Sequence, residues 1–360
     1  MNRFFCKRPL IVAACVLLLV VSIFAYSAKK ENRLQPVVVT EPTAHDTDDP
    51  AIWINPADPA QSLIIGTDKD SDGGLYVFDL NGKNLKEKNV LGLKRPNNVD
   101  IAYGLLLQGK PTDIAAVTER ETDKLRIFSL PDMKPVDGGG IPVFEGEKDR
   151  KPMGIALYTR SSDRAMFAVV GRKTGPAQNY LWQYRLSDNG TGKISGRVVR
   201  KFGSYSGKKE IESIAVDNEL GYIYYSDEMY GVHKYYADPE QGDSELALFG
   251  TSDFKDDIEG ISIYKSTSQT GYILISNQQA DQFIVYPREG ARGNAHQHQK
   301  IKAVNVAAHL SDGSEVTSLP LGPRFPKGLF VTMSEGRVFH YYDWRQVENI
   351  LDHDSRMGGL

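Results

Sequence analysis

Short apolar runs alternate with polar clusters along most of the chain, and this alternation itself repeats. In each repeat a short apolar strand leads into a polar cluster, and a second strand follows that ends in an aromatic residue or leucine. The matched positions are Ile64, Ile114, Phe167, Ile223, Ile273 and Phe330. Their spacing of 50 to 57 residues is typical of a β-propeller with four strands per blade. We therefore predict an all-β fold, a six-bladed β-propeller with four antiparallel strands per blade, over residues 37–352.

A second repeat precedes the first in each unit and alternates small residues with Ile, Leu or Val. Its segments open at Asp49, Asn98, Met153, Glu212 and Glu259, and the last unit offers only the run from Lys327 to Phe330. This alternation suits the innermost strand of a blade, because the blades crowd together at the axis. We expect the residues that open these strands to form a ring at one rim of the axial channel.

The polar clusters that follow the second strand of each unit are expected near the same rim, if connections alternate between the two faces. They carry Lys69, Arg120, Arg172 with Lys173, Glu228 and Gln278. One face of the propeller should therefore hold acids near the centre and bases to one side. Solvated loops are polar in any case, but folding alone does not require carboxylates to recur at the strand mouths.

The two ends of the chain do not follow the repeat. Residues 1–27 have a basic start and then an apolar run, and they end in small residues, as in a secretory signal peptide. An uncleaved membrane anchor and a lipoprotein site at Cys15 are the alternatives. Residues 28–36 read as a polar linker, Trp344 to Leu351 as a short helix, and 353–360 as a C-terminal tail. We expect an exported protein, periplasmic, extracellular or membrane-tethered, that contacts a membrane only through this first segment.

The net charge and the positions of the cysteines exclude some classes of function. The 360 residues include 43 Lys and Arg against 46 Asp and Glu, a net charge of −3, which argues against a nucleic-acid partner. Both cysteines, Cys6 and Cys15, lie in the predicted signal segment, so the mature domain has neither a disulfide nor a thiol nucleophile. Nothing in the sequence requires more than a monomer.

The clustered acids favour a metal site. The runs Asp46–Asp49, Asn97–Asp100 and Asp256–Glu259 each group carboxylates or amides within four residues. Clustered carboxylates repel each other unless a cation or a shared proton offsets the cost. Oxygen-only ligands suit a hard cation, above all Ca²⁺.

Bases beside such a cluster point to an anionic ligand. Bound calcium reverses the local sign of the charge, and Lys and Arg then hold individual phosphates. The sequence lacks a P-loop, a G-x-S-x-G nucleophile elbow and an H-E-x-x-H motif. We therefore predict a small polyphosphorylated ligand rather than a nucleotide.

Several motifs in order resemble the β-propeller phytases. They are DTDDPAIW (46–53), NNVDIAYG (97–104), TDIAAVTER (112–120), DDIEGISIY (256–264) and LGPRFPKGLFV (321–331). The resemblance covers about residues 36–350. It implies a six-bladed, calcium-dependent 3-phytase-type phosphatase, exported by bacteria, that releases phosphate stepwise from phytate, myo-inositol hexakisphosphate. It also implies that phytate binds as its calcium complex.

The resemblance also implies roles for individual residues. The catalytic acids are Glu212, Glu228, Asp257 and Glu259, which also hold metal. The other implied calcium ligands are Asp46, Asp48, Asp49, Asn98, Asp100, Gln278 and Asp312. The implied phosphate-binding bases are Lys69, Arg120 and Lys173. Two positions depart from the family pattern: Asp70 replaces a second lysine, and Met153 replaces a calcium-ligating tyrosine.

These residues predict metal-assisted hydrolysis. Several Ca²⁺ ions activate a water that attacks phosphorus without a covalent intermediate, and activity persists near neutral pH and fails in acid. Three alternatives stay open: a calcium-dependent propeller lactonase or esterase of the gluconolactonase type, a non-catalytic propeller that binds a partner, and a protein whose calcium is only structural. A lactonase reaction would not require Lys69, Arg120 and Lys173 on one face of the propeller.

Overall fold

The computed structural model describes residues 33–357, with side chains from residue 33 to residue 352. The predicted signal segment, residues 1–27, lies outside the described residues, as do most of the predicted linker and the last three residues of the tail. The signal peptide, the anchor and the lipoprotein site therefore stay predictions.

The described chain is almost entirely β-structure. In order, the strands are β1 (Val38–Val39), β2 (Thr47–Trp53), β3 (Leu63–Asp68), β4 (Gly73–Phe78), β5 (Val90–Leu93), β6 (Pro96–Leu107), β7 (Lys110–Glu119), β8 (Lys124–Leu130), β9 (Lys134–Pro135), β10 (Ile141–Pro142), β11 (Pro152–Thr159), β12 (Met166–Arg172), β13 (Gln178–Asp188), β14 (Ile194–Ser204), β15 (Ile214–Asp217), β16 (Tyr222–Asp227), β17 (Gly231–Tyr236), β18 (Ala247–Phe249), β19 (Ile258–Lys265), β20 (Gly271–Asn277), β21 (Gln282–Pro287), β22 (Lys302–Asn305), β23 (Ser314–Thr317), β24 (Leu329–Ser334) and β25 (Val338–Asp343). Single 3₁₀ turns span Pro59–Gln61, Lys86–Lys88, Arg120–Thr122, Pro239–Gln241 and Gln278–Ala280, and one α-helix, α1, spans Trp344–Met357.

Six antiparallel sheets form the blades of the predicted propeller. Blade 1 is β2-β3-β4-β5, and blade 2 is β6-β7-β8-β10, with β9 also paired to β8. Blades 3, 4 and 5 are β11 to β14, β15 to β18 and β19 to β22, each in chain order, and blade 6 is β23-β24-β25-β1. The first strands of neighbouring blades contact each other in a closed ring around the axis. The six-bladed, four-stranded prediction is confirmed.

Blade 6 is completed by the beginning of the described chain. The short strand β1 pairs with β25, with Val38 opposite Tyr341 and Val39 opposite His340. Blade 6 therefore takes three strands from the end of the chain and one from its start. Closure in this way leaves no open edge between the last blade and the first.

The inner strand of blade 6 differs from the prediction. It is β23, Ser314–Thr317, whereas Phe330 lies in β24, the second strand of the blade. The predicted run from Lys327 to Phe330 was therefore wrong as an inner strand. The sequence Ser-Glu-Val-Thr is short and mostly polar, so it lacks the alternation of small and aliphatic residues that marks the other five.

Apolar side chains fill the space between adjacent blades. Each of the six buried clusters found among the described residues joins two neighbouring sheets. Helix α1 begins at Trp344, as predicted, and caps the cluster between blades 5 and 6. There Trp344 stacks on Tyr264, with ring centroids 3.5 Å apart. Within residues 33–357 no helix is long and apolar enough to cross a membrane.

Strand register determines which residues share a rim. The start of each inner strand lies opposite the end of the second strand of its blade: Thr47 opposite Asp68, and Ile258 opposite Asn277. Pro96 opposite Glu119 and Pro152 opposite Arg172 repeat the pattern. The polar clusters after the second strands therefore lie at the rim where the inner strands begin, as predicted.

Candidate functional site

Six acids gather at this rim, and we call them the acid rim. They are Asp48, Glu212, Glu228, Asp257, Glu259 and Asp312. Two groups within or beside the acid rim bring three carboxylates together: Glu210, Glu212 and Glu228 form one, and Glu228, Asp257 and Glu259 form the other. Within each group the ligand oxygens lie within 4.8 Å of one another. Glu228 belongs to both groups and therefore connects them.

Two of these acids are buried with oxygens that lack partners. Glu228 is 0% exposed and Glu259 is 3% exposed. Among the described residues, neither Glu228 Oε1 nor Glu259 Oε2 has a hydrogen-bond partner. Burial raises the pKa of Glu228 to about 8 against the opposing charge of Lys209, and burial, with the nearby Glu212 and Glu228, raises that of Glu259 well above its usual range. Buried ionisable groups without partners are costly.

Among the residues that the structure describes, Lys209 is the one base that contacts the second acid group. Its Nζ lies 2.6 Å from Glu228 Oε2 and 2.7 Å from Asp257 Oδ2. Partial burial disfavours its charge, but hydrogen bonds with Asp257 and Glu228 prevail and raise its pKa. The sequence analysis missed this residue and Glu210, because both lie in the loop before β15, outside the repeat. The spacing Lys-Glu-Ile-Glu ahead of an inner strand was the available signal.

Lys69 has the same kind of position on the other side of the acid rim. Its Nζ donates to Asp48 Oδ1 at 2.9 Å and to Asp312 Oδ2. The other oxygen of Asp312 accepts from the side-chain amide of Gln278. Burial raises the pKa of Asp48 to about 7 despite the charge of Lys69, and Asp48 Oδ2 has no partner among the described side chains.

Glu212 connects the side of the acid rim that holds Lys209 with the side that holds Lys69. Its Oε1 accepts from Asn97 Nδ2 at 2.7 Å, and the same amide nitrogen also donates to Asn98 Oδ1 at 2.8 Å. Arg120 Nη2 donates to Asn97 Oδ1. Arg120 is only 7% exposed, so its guanidinium lies behind Asn97 and fixes the orientation of that amide. Burial, together with the negative charge of Asp48, raises the pKa of Glu212.

Three predicted calcium ligands line the axial channel instead of the acid groups. Asp49, Asn98 and Asp100 border a cavity of about 500 Å³ between the inner strands. Asp49 Oδ2 accepts from Val99 N at 3.0 Å, and both Asp100 oxygens accept backbone N–H groups, including that of Leu157 at 2.6 Å. Asp49 and Asp100 therefore join inner strands of adjacent blades.

A glycine permits the close approach of blade 6 to blade 1. A Cβ atom at Gly313 would lie 2.2 Å from Asp49 Oδ1. The backbone N–H of Gly313 donates to Asp48 C=O at 3.0 Å. Because only hydrogen fits there, this position holds Asp312 beside Asp48 and Lys69.

The remaining predicted residues lie at the edges of the site. Asp46 is exposed, and its backbone C=O accepts from Lys69 N–H at 2.7 Å. Met153 is 1% exposed and sits at the start of its inner strand. Its carbonyl accepts from Thr118 Oγ1 at 2.5 Å, so Met153 serves packing between blades.

Lys173 lies in a basic pocket beside the acid rim. We use this name for the 670 Å³ pocket bordered by Lys148, Arg150, Lys151, Lys173 and Lys209, together with Asp123, Asp149, Thr174 and Glu210. Lys173 is exposed, and its Nζ donates to Glu210 Oε2 at 2.7 Å. Its neighbour Arg172 is buried between Phe144 and Tyr180 and points away from solvent.

The donors of the acid rim fit a hard divalent cation. All are oxygens, and three of them, on Asp48, Glu228 and Glu259, are buried and without partners among the described residues. Carboxylate and amide oxygens are the usual ligands of Ca²⁺. The residues present could therefore hold such ions.

The fold and the site together define a β-propeller with an acidic, metal-competent rim beside a basic pocket. The model of the family described as Phytase matches residues 8–353. The chain therefore belongs to the phytase family, and it is a phytase-type phosphatase and hence a hydrolase.

Two individual proteins give the scale of the similarity. The chain is 29% identical over 371 residues to the "3-phytase" of Bacillus subtilis (strain 168), an alignment that covers 96% of this chain and 94% of that protein. A solved structure titled "Structure of Dos1 propeller" aligns with a TM-score of 0.43 and 12% identity, over 83% of this chain and 68% of that chain.

Proposed function

We propose that this protein is a calcium-dependent phosphatase that releases phosphate stepwise from phytate at the acid rim. The observation that carries the proposal is the pair of acid groups that share Glu228 and adjoin the basic pocket. Family membership supports a phytase-type reaction, and the choice of calcium follows from the oxygen-only ligands.

The acids with unpartnered oxygens would hold the cations. Glu228 and Glu259 supply two such oxygens, and Glu212 and Asp257 complete the groups. Asp48 and Asp312 offer a further position, where Lys69 now lies. When bound there, the cation would supply positive charge and Lewis acidity to the phosphate and to water.

The bases position the substrate. Phytate carries several phosphates, so one can reach the acid rim while a neighbour lies in the basic pocket. Lys69 and Lys173 stand at these two places. Charge-assisted hydrogen bonds from their ammonium groups hold phosphate oxygens and offset the charge that develops there.

A carboxylate of the acid rim accepts the proton of the attacking water. Because Glu259 Oε2 is assigned to the cation, the proton goes to a carboxylate oxygen of the acid rim that the cation does not occupy. The described site lacks a side chain with the pairing of an activated nucleophile, and direct attack by water needs no covalent phosphoenzyme.

The deciding experiment measures phosphate release from phytate by the purified protein at neutral pH. Three conditions are compared: added Ca²⁺, added chelator, and added Ca²⁺ with the Asp257→Ala variant. We expect release that needs calcium and falls at least a hundredfold in the variant. Release unaffected by chelator would contradict the calcium requirement.

The matched control is Asp256→Ala. Asp256 is the adjacent acid, is exposed and lies outside both acid groups, so its loss should leave the rate unchanged. Absence of phosphate release by a folded, calcium-binding protein would overturn the proposal, and lactones would then be the next substrates to test.

A further inference from the structure

The acid rim has a cation of its own, the ammonium group of Lys209. It contacts Glu228 Oε2 and Asp257 Oδ2 at 2.6 and 2.7 Å. These two carboxylates and Glu259 are the acid group whose ligand oxygens converge within 4.8 Å. A divalent cation held by this group would lie beside the same two carboxylates, so the ion and the ammonium compete for their negative charge.

Lys209 also borders the basic pocket. Its side chain is 38% exposed and lines this pocket with Lys151 and Lys173. The flexible four-carbon stem of lysine allows its ammonium to move several ångströms while the backbone stays in place. The same side chain can therefore serve the acid rim or the basic pocket, but not both at once.

We propose that Lys209 alternates between these two positions. It lies between Glu228 and Asp257 when no divalent cation is bound, and it turns into the basic pocket, where it contacts a substrate phosphate, when the cation is bound. The proposal rests on the proposed function for the identity of cation and substrate. Lys209 is then a competitor of the metal and a substrate-binding residue.

Electrostatics gives the exchange its direction. An ammonium and a divalent cation within a few ångströms repel each other strongly in a partly buried site. Displacement of Lys209 moves one positive charge from the acid rim to a pocket that already holds Lys148, Lys151 and Lys173. The added charge favours a polyanion there, so metal binding and substrate binding strengthen each other.

The first test measures calcium affinity directly, by calorimetric titration of the chelator-treated protein with CaCl₂. Lys209→Met keeps the length of the side chain and removes its charge. We expect the apparent Kd for calcium to fall about tenfold, since the competitor is gone. Lys209→Arg, which retains the charge, should bind calcium with an affinity close to that of the unaltered protein.

The control is Lys208→Met. Lys208 is the adjacent exposed lysine, and its Nζ donates to Met229 C=O at 3.2 Å. It should leave the Kd unchanged. A variant that merely damages the site would bind calcium more weakly, so the direction of the change separates competition from damage. Equal Kd values for Lys209→Met and the unaltered protein, or no calcium binding by either, would overturn the proposal.

The second test concerns the other position. At saturating calcium, Lys209→Met should raise KM for phytate about five- to tenfold with little change in kcat, because a phosphate contact is lost. An unchanged KM would overturn the substrate half of the proposal. Failure of the unaltered protein to hydrolyse phytate would instead overturn the proposed function, while the calcium Kd comparison would still decide the competition.

Discussion

The two ends of blade 4 bury acids in opposite ways. At one end Asp217 and Arg288 are both 0% exposed, and two parallel hydrogen bonds of 2.6 and 2.7 Å join them. At the other end Glu228 is equally buried, but the only described polar contact of its carboxylate is with Lys209, at one oxygen. At the first end the buried charges are fully paired within the protein, whereas at the second end they are not.

The contrast separates structural charge from functional charge. A buried pair with every donor and acceptor satisfied holds the fold and offers nothing to a ligand. A buried carboxylate with an unpartnered oxygen weakens the fold unless something binds to it. If the proposed function holds, the acid rim is the place where the protein gives up stability for binding.

The largest effect is expected from Glu228→Gln. The change removes the charge shared by both acid groups, so phosphate release in calcium should fall about a thousandfold. The fold should be retained in chelator, because a neutral amide of the same size replaces a buried carboxyl that has a partner at only one oxygen. Both are measured on one preparation, by phosphate assay and by thermal unfolding. A variant that unfolds without calcium would show that Glu228 is structural.

Asp217→Asn tests the complete end of the blade. It leaves the buried Arg288 without its full counter-charge, and breaking such a pair costs about 3 kcal/mol of unfolding free energy. Urea unfolding measures this loss. The rate of phosphate release per folded molecule should not change, and a fall in that rate with unchanged stability would remove the distinction between the two ends.

Removal of calcium should act on the acid rim alone. Calcium at a hundred times its Kd stabilises a folded protein by about 2.7 kcal/mol, so chelation should lower the melting temperature. Asp217→Asn should lose the same amount, and Glu228→Gln much less. Equal losses in all three proteins would place the stabilising ion elsewhere.

The smallest effect concerns pH in the presence of chelator. The pKa values of about 7 for Asp48 and about 8 for Glu228 exceed those of unfolded carboxyls. The folded state then holds protons that the unfolded state has released, so this contribution to stability is complete below about pH 4 and is lost as pH rises to about 8. Urea unfolding should show a decrease in stability from pH 5 to pH 8, and a shallower decrease in Glu228→Gln. Stability that rises over this interval would contradict the assignment.

The fold could be predicted because a strand pattern that is weak in any one blade can be recognised when it recurs in the other blades. Five inner strands share one alternation, and the sixth, β23, escaped notice because its four residues are mostly polar. The two-residue strand β1 could not be found from sequence, since its partner β25 lies about three hundred positions away.

The site was predictable where its residues repeat with the strands. Glu212, Glu228, Glu259 and Lys69 occupy equivalent strand ends, so spacing grouped them. Asp48 and Asp257 stood out in acidic runs, whereas Asp312 came only from the resemblance to the phytases. Lys209 comes from a loop with no counterpart in the other blades. Arg120 and Arg172 illustrate a further limit: sequence predicts that a base is at the rim, whereas only packing decides whether its charge faces solvent or the interior.

Because β1 completes the last blade, the site can form only late in the synthesis of the chain. Val38 pairs with Tyr341, and Lys69 meets Asp312 across 243 positions. Contacts so distant in sequence form slowly and require both partners to have left the ribosome. A growing or truncated chain can build single blades, but it cannot assemble the whole rim. Cation binding at the site between Asp48 and Asp312 would thus report that blade 6 has been made and has closed the ring.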